Sequence, residues 1–270
     1  TSKISKIFKY YRRSKLILYI IKLMKNIFRY LSYGYWYRRF LLSNLSNLIY
    51  KKKDYRKKIF RTIYSSNFWR DYKNPSKVES KSGFGSDLPK ISKFIESYRN
   101  FITENNISSI LDFGCGDFIY MNEVLKELPN VKYTGMDIVE SIIDSNNKKY
   151  SNENIKFKVI DAVEEDVEGS FDLVMSRFVM IHLDNSDNER FLNKLKNIES
   201  KFIALTSAPS LIENYDLKKT GKYRDVNLKI APYNLIDEIK SITDIRDLKK
   251  NQDMFVFYKT SEFKKTEFNF

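Results

Sequence analysis

Apolar residues follow two different periods along this chain, and the place where the period changes divides it. From Ile4 to Leu31 they recur at Ile4, Ile7, Phe8 and Tyr11, then at Ile17, Ile20, Ile21, Met24, Ile27, Phe28 and Leu31. This i, i+3, i+4 spacing predicts a helix whose other face carries Lys and Arg. An aromatic patch follows over 33–42, and then Lys51 to Lys58, with six basic residues in eight positions. The small and polar run Ser80-Lys81-Ser82-Gly83-Phe84-Gly85-Ser86 reads as a hinge. Beyond it, short β-branched and aromatic runs alternate with helical-period segments, the order expected of a parallel sheet. Strands are predicted at 109–113, 131–137, 155–160, 171–176 and 201–205, and helices at about 120–128, 139–150 and 186–198. Asp87 reads as an N-cap, with Pro89 in the first turn of a further helix. Near the end, 231–240 reads as a helix, followed by strands at 242–247 and 254–258. The expected fold is α/β: a Rossmann-like, seven-stranded, doubly wound sheet with a basic helical N-terminal extension. The boundaries are an arm at 1–80, a body at 81–260 and a polar tail at 261–270 that frays.

Charge sharpens that division. The net charge of the chain is +14. Residues 1–80 hold 21 Lys and Arg against three acids (Asp54, Asp71, Glu79), or +18, and the remainder carries −4. The basic character belongs to the arm, and the body has no reason to seek polyanions. Three readings of the arm stay open. It is an ordinary helical subdomain with a solvated basic side, an amphipathic element lying on an anionic membrane through residues 1–60, or a nucleic-acid binder. The longest early apolar run, Leu16 to Ile21, is too short for a secretory signal or a membrane span. With Cys115 as the lone cysteine and His182 as the lone histidine, a disulfide framework, a multi-cysteine zinc site and a histidine-rich metal site are excluded. No metal is expected. The expected location is cytoplasmic, at most peripheral at the inner face of a membrane.

The candidate chemistry lies where the first strand ends. Ile110-Leu111-Asp112-Phe113-Gly114-Cys115-Gly116-Asp117 reads as a buried strand turning sharply on two glycines, with room for a ligand against the backbone. The second strand ends in Asp137, followed by Ile138, where a carboxylate accepts from a ribose diol. A third acid, Asp161, followed by Ala162, sits at the next strand tip and suits an adenine amino group. Dinucleotide sites favour G-x-G-x-x-G at a helix N-terminus facing a pyrophosphate. Here Ile119 holds the third glycine position, and Asp117 would repel a pyrophosphate but suit a cationic ligand.

These residues, with Phe171-Asp172-Leu173-Val174 and Ile181-His182-Leu183, resemble the motifs of class I S-adenosylmethionine-dependent methyltransferases in order and spacing over about 107–205. The resemblance implies S-adenosyl-L-methionine as cofactor. Asp112, Gly114, Cys115 and Gly116 would cradle its methionine part, Asp137 and Ile138 its ribose, and Asp161 and Ala162 its adenine. Cys115 itself reads as a small buried filler rather than a nucleophile. Arg177 is placed with this set. It pairs with Asp112 or Asp117, reaches the substrate or makes a plain salt bridge. A narrower likeness covers about 65–235. It is carried by Phe68-Trp69, Ser82-Gly83-x-Gly85-Ser86, Cys115-Gly116-Asp117-Phe118-x-x-Met121 and the run from Gly221 to Asn234. That set is similar to bacterial-type methyltransferases associated with glycan and capsule biosynthesis.

The resemblance makes the expected acceptor a glycan hydroxyl, on a lipid-linked saccharide at the membrane face. Such a hydroxyl needs a base to take its proton. His182 is the first candidate, its alternative being a structural imidazole; Asp117 or Asp184 would serve instead. Arg224, Asn227 and Tyr233 are candidate acceptor ligands, Arg224 as a fork for a carboxylate or phosphate. Two rivals are an RNA methyltransferase, disfavoured by the acidic body, and a non-catalytic nucleoside-binding module tethered by its arm.

Overall fold

The computed structural model describes residues 52–69, 80–86, 88–217, 219–244 and 253–270. The helix expected over 4–31, the aromatic patch at 33–42, the cap at Asp87 and positions 245–247 lie outside the described residues. The chain divides into two compact units, 1–55 and 56–270, and the sheet belongs to the second.

Seven strands form one mixed sheet: β1 Ser109–Phe113, β2 Lys132–Asp137, β3 Ile155–Val159, β4 Ser170–Ser176, β5 Glu199–Ser207, β6 Glu238–Asp244 and β7 Asp253–Lys259. Their order is β3-β2-β1-β4-β5-β7-β6. The first five run parallel; β7 lies antiparallel between β5 and β6. Among the described residues six helices accompany them: α1 Lys52–Ser65, α2 Leu88–Glu104, α3 Ile119–Leu125, α4 Glu140–Tyr150, α5 Asn185–Asn197 and α6 Thr260–Lys265. Short 3-10 turns lie at Phe84–Ser86 and Met180–His182.

The central strands are buried on both faces, and their two-residue period sorts the core into two clusters. Leu111, Phe113, Val174, Ile203 and Leu205 face one layer. Ile110, Leu173, Met175 and Ala204 face the other, where α2 lays Phe94, Tyr98, Phe101 and Ile102 against Phe255 and Phe257 of β7. Asp172 ties β4 to the start of β1 by accepting from the backbone N–H of Ser108 (2.7 Å) and Ser109 (3.1 Å).

Four sequence expectations change. The helix expected at 231–240 is a turn leading into β6, which starts at Glu238, four residues ahead of the expected strand. Pro232 offers no N–H to a helical ladder, and the apolar Ile236 and Ile239 stand exposed. The tail folds: α6 buries Phe263 completely, and Phe268 lies 4.2 Å beneath the ammonium of Lys196. The polar majority of that stretch hid its two aromatic anchors. The boundary between units falls at Tyr55–Arg56 rather than at residue 80, because Arg56, Phe60, Ile63 and Tyr64 are buried within the body. Finally, Ser80–Ser86 is packed rather than a hinge. Ser80 is 1% exposed, and a Cβ on Gly83 would meet the Trp69 carbonyl oxygen at 3.0 Å.

Candidate active site

The loops after β1 to β4 converge at the C-terminal edge of the parallel strands, where α1 and residues 80–86 complete a cavity. This is the edge at which open α/β sheets bind ligands. The turn after β1 is held by β2: the N–H groups of Gly114 and Cys115 both donate to the Met136 carbonyl, at 2.7 and 3.0 Å. Gly114 and Gly116 take φ of +74° and +55°, conformations that disfavour other residues. A Cβ on Gly114 would stand 2.2 Å from a Val179 methyl, and one on Gly116 would stand 2.3 Å from Ser82 Oγ. The close approach these glycines allow is therefore made by neighbouring parts of the chain, although both glycines still line the cavity. Cys115 lines it too, and burial pushes its thiol pKa up, which suits a filler and not a thiolate.

Asp137 lines the cavity with Ile138 beside it. Its Oδ2 accepts from Gly116 N–H (3.1 Å) and its Oδ1 from Val139 N–H (2.9 Å). Burial raises its pKa to about 6 against these two donors. Asp112 does not line the cavity but lies buried beneath the turn. Tyr133 donates to its Oδ2 at 2.7 Å, while its Oδ1 has no hydrogen-bond partner among the described residues. Burial raises this carboxyl to about 7, the Tyr133 hydrogen bond and the Arg177 charge only partly opposing it.

The acid expected at the adenine end has a partner that the sequence reading missed. Asp161, lining the cavity with Ala162, accepts at Oδ2 from Arg56 Nε (3.3 Å) and NH2 (3.0 Å) and at Oδ1 from Val163 N–H (3.1 Å). Arg56 also donates to Glu164 (2.6 Å) and Asp187 (3.0 Å). Burial alone would lower the guanidinium pKa; hydrogen bonds to Asp161 and Glu164 outweigh it and hold the group above its ordinary value. Arg56 comes from the basic run whose open readings were a subdomain with a solvated basic side, a membrane-surface element or a nucleic-acid binder, yet it is 1% exposed. The available signal was the spacing Arg56, Phe60, Ile63, Tyr64, one face of a helix.

His182 lies in the cavity wall, against rings that α1 and its exit bring in. It stacks on Trp69 at 4.7 Å, with Phe60 and Tyr223 at 6.5 and 6.2 Å. Its Nδ1 is 2.8 Å from the Lys222 carbonyl. A carbonyl only accepts, so Nδ1 carries the proton and, in the neutral ring, Nε2 bears the lone pair.

The other catalytic candidates hold the chain together. Asp117 accepts from Ser80 Oγ (2.9 Å), Lys81 N–H (2.5 Å) and Ser82 Oγ (3.1 Å), pinning residues 80–82 over the glycine turn, and it does not line the cavity. Asp184 is the N-cap of α5, accepting from Asp187 N–H at 2.9 Å. Arg177 lines the cavity but is paired with neither Asp112 nor Asp117. Its guanidinium donates to both oxygens of Asp244 at 2.6 Å and to the Gly85 carbonyl at 2.5 Å, among the rings of Phe94, Tyr120 and Phe178. The expected acceptor ligands also have other duties, and none lines the cavity. Arg224 donates to the Tyr215 carbonyl (2.8 Å) and Tyr233 Oη (3.1 Å). Asn227 donates to the carbonyls of Leu211 (2.7 Å) and Pro209 (3.2 Å), and Tyr233 is fully buried. They stitch the loop from Ala208 to Leu235, and the polar character read as ligand binding is the hydrogen bonding of a buried loop.

The residues present fit S-adenosylmethionine. The cavity joins a glycine turn to two carboxylate-tipped strands, and beneath the turn lies a carboxyl oxygen in want of a donor. Asp137 would take the ribose, the segment from Ile160 to Val163 the adenine, and the turn above Asp112 the methionine end. The cofactor supplies an activated methyl on a sulfonium.

Comparison with known proteins agrees. Residues 110–199 match a family model described as "Methyltransferase domain". The chain is similar to malonyl-[acyl-carrier protein] O-methyltransferase 1 of Ilyobacter polytropus, at 26% identity over 153 residues, covering 55% of this chain and 56% of that protein. It is also similar to ribosomal RNA small subunit methyltransferase C of Haemophilus influenzae, at 29% identity over 115 residues, 41% of this chain and 34% of that protein. The chain thus spans about half the length of the first and a third of the second. Among solved structures, magnesium protoporphyrin IX methyltransferase from Synechocystis PCC 6803 aligns over 61% of this chain and 81% of its own, with 13% identity and a TM-score of 0.46. Residues 110–199 thus match a methyltransferase domain, and the cofactor of such a domain is S-adenosyl-L-methionine.

Proposed function

We propose that this protein transfers the methyl group of S-adenosylmethionine to a hydroxyl of a glycan or lipid-linked saccharide, with His182 as the base. The observation that carries the reading is the orientation of His182. Its Nδ1–H is held by the Lys222 carbonyl, which leaves Nε2 as the basic nitrogen of a ring in the wall of the same cavity as the glycine turn and Asp137. A base so placed takes the hydroxyl proton as the oxygen attacks, and the surrounding protein has only to align the reactants and exclude water. The aromatic wall of Phe60, Tyr64 and Trp69 supports a saccharide, whose apolar ring faces stack on such surfaces. The basic arm supports presentation at an anionic membrane, where each Lys or Arg adds about 1 kcal/mol of attraction.

The test is turnover on a saccharide pool with a labelled methyl donor. The expected result is a methyl ether on a sugar oxygen. A His182→Gln variant should lose about two orders of magnitude in kcat while S-adenosylhomocysteine binds within about threefold of wild type. Label appearing in RNA or acyl-carrier substrates instead, or a variant that keeps full kcat, would refute the reading.

A further inference from the structure

We propose that Arg56 is a positioning residue for the adenine end of the cofactor site, which makes α1 a wall of that site although it lies outside the matched family segment. The inference rests on the cofactor reading above and adds a specificity device to it. Three carboxylates, Asp161, Glu164 and Asp187, meet on Arg56, and two of them also hold Arg190, Glu164 at 2.9 Å and Asp187 at 2.5 Å. Of the three acids only Asp161 lines the cavity. Its Oδ2 takes both Arg56 contacts, and its Oδ1 takes one backbone N–H, so Oδ1 keeps acceptor capacity. Tied to a guanidinium, this carboxylate accepts and does not donate. It therefore suits the 6-amino group of adenine and opposes the 6-carbonyl of hypoxanthine. A lysine at position 56 would preserve charge but, as a compact point cation, could not span three carboxylates in a fixed fork.

The experiment titrates S-adenosylhomocysteine and S-inosylhomocysteine into the full chain, wild type and the Arg56→Lys and Arg56→Gln variants, with circular dichroism as a check on folding. Wild type should prefer the adenosyl compound by about tenfold or more, one lost hydrogen bond at a site with a buried partner. Arg56→Lys should weaken adenosyl binding by about tenfold and cut the preference to about threefold or less. A purely structural role would weaken both compounds alike and leave their ratio unchanged. An unchanged ratio in a folded variant overturns the proposal, and the lysine variant decides if the glutamine variant does not fold. If wild type binds neither compound, the cofactor reading itself fails and takes this proposal with it.

Discussion

The carboxyl of Asp112 has a direct consequence for stability. Its folded-state pKa of about 7 stands well above the ordinary 3.8, with burial as the main cause. The favourable, protonated contribution is fully present below about pH 4 and is lost as pH rises through 7, at a cost on the order of a few kcal/mol. In Asp112→Asn without ligand, thermal melts should show a larger gain over wild type at pH 8 than at pH 5. An equal gain at both would contradict the assignment. Arg224 gives the opposite pattern. Arg224→Ala should lose about 2–4 kcal/mol in urea unfolding, because Tyr233 and the Tyr215 carbonyl lose a buried partner, while cofactor affinity stays within about twofold. A large affinity loss without destabilisation would restore Arg224 to the site. At this scale the sequence disclosed the residues at strand ends that line the cavity. Glycines and acids at strand tips announce themselves within a few positions. Arg56 and Asp161 are 105 positions apart, and no local pattern joins them.

Among the elements, the strands were legible because a period of two survives burial on both faces, as Leu111 and Ile110 show by sorting to opposite clusters. Where tertiary packing overrides local pattern, the reading failed. β6 contains a register shift between Glu238 and Lys240, which breaks the alternation that would have marked a strand. α6 was hidden by its polar composition, although one anchor suffices to dock it. Phe263→Ala should therefore cost about 3–5 kcal/mol, measured by chemical denaturation. A loss below about 1 kcal/mol would mean that the tail adds little to the body. α1 combines both lessons: its basic surface suggested a polyanion partner, yet one of those bases is its deepest anchor.

For the molecule as a whole, the division into units relocates the charge. Residues 1–55 carry 14 Lys and Arg against one acid, a net +13, so the unit from Arg56 onward is nearly neutral at +1. Any attraction to an anionic surface belongs to the first unit, and sedimentation with anionic vesicles should be strong at low salt and abolished at about 0.5 M. Salt-insensitive binding would point to apolar insertion instead. Among the described residues no helix is long and apolar enough to cross a membrane. The cofactor and the proposed base do not depend on that outcome; they depend on the cavity beside Gly114, Gly116 and Asp137. Its most direct test is calorimetric titration of the full chain with S-adenosylhomocysteine. One molecule should bind per chain with exothermic heat, and Asp137→Ala should weaken binding by about tenfold or more, as expected for loss of a buried hydrogen-bonding acid. No heat and no shift in melting temperature with either the methyl donor or its demethylated product would contradict the account.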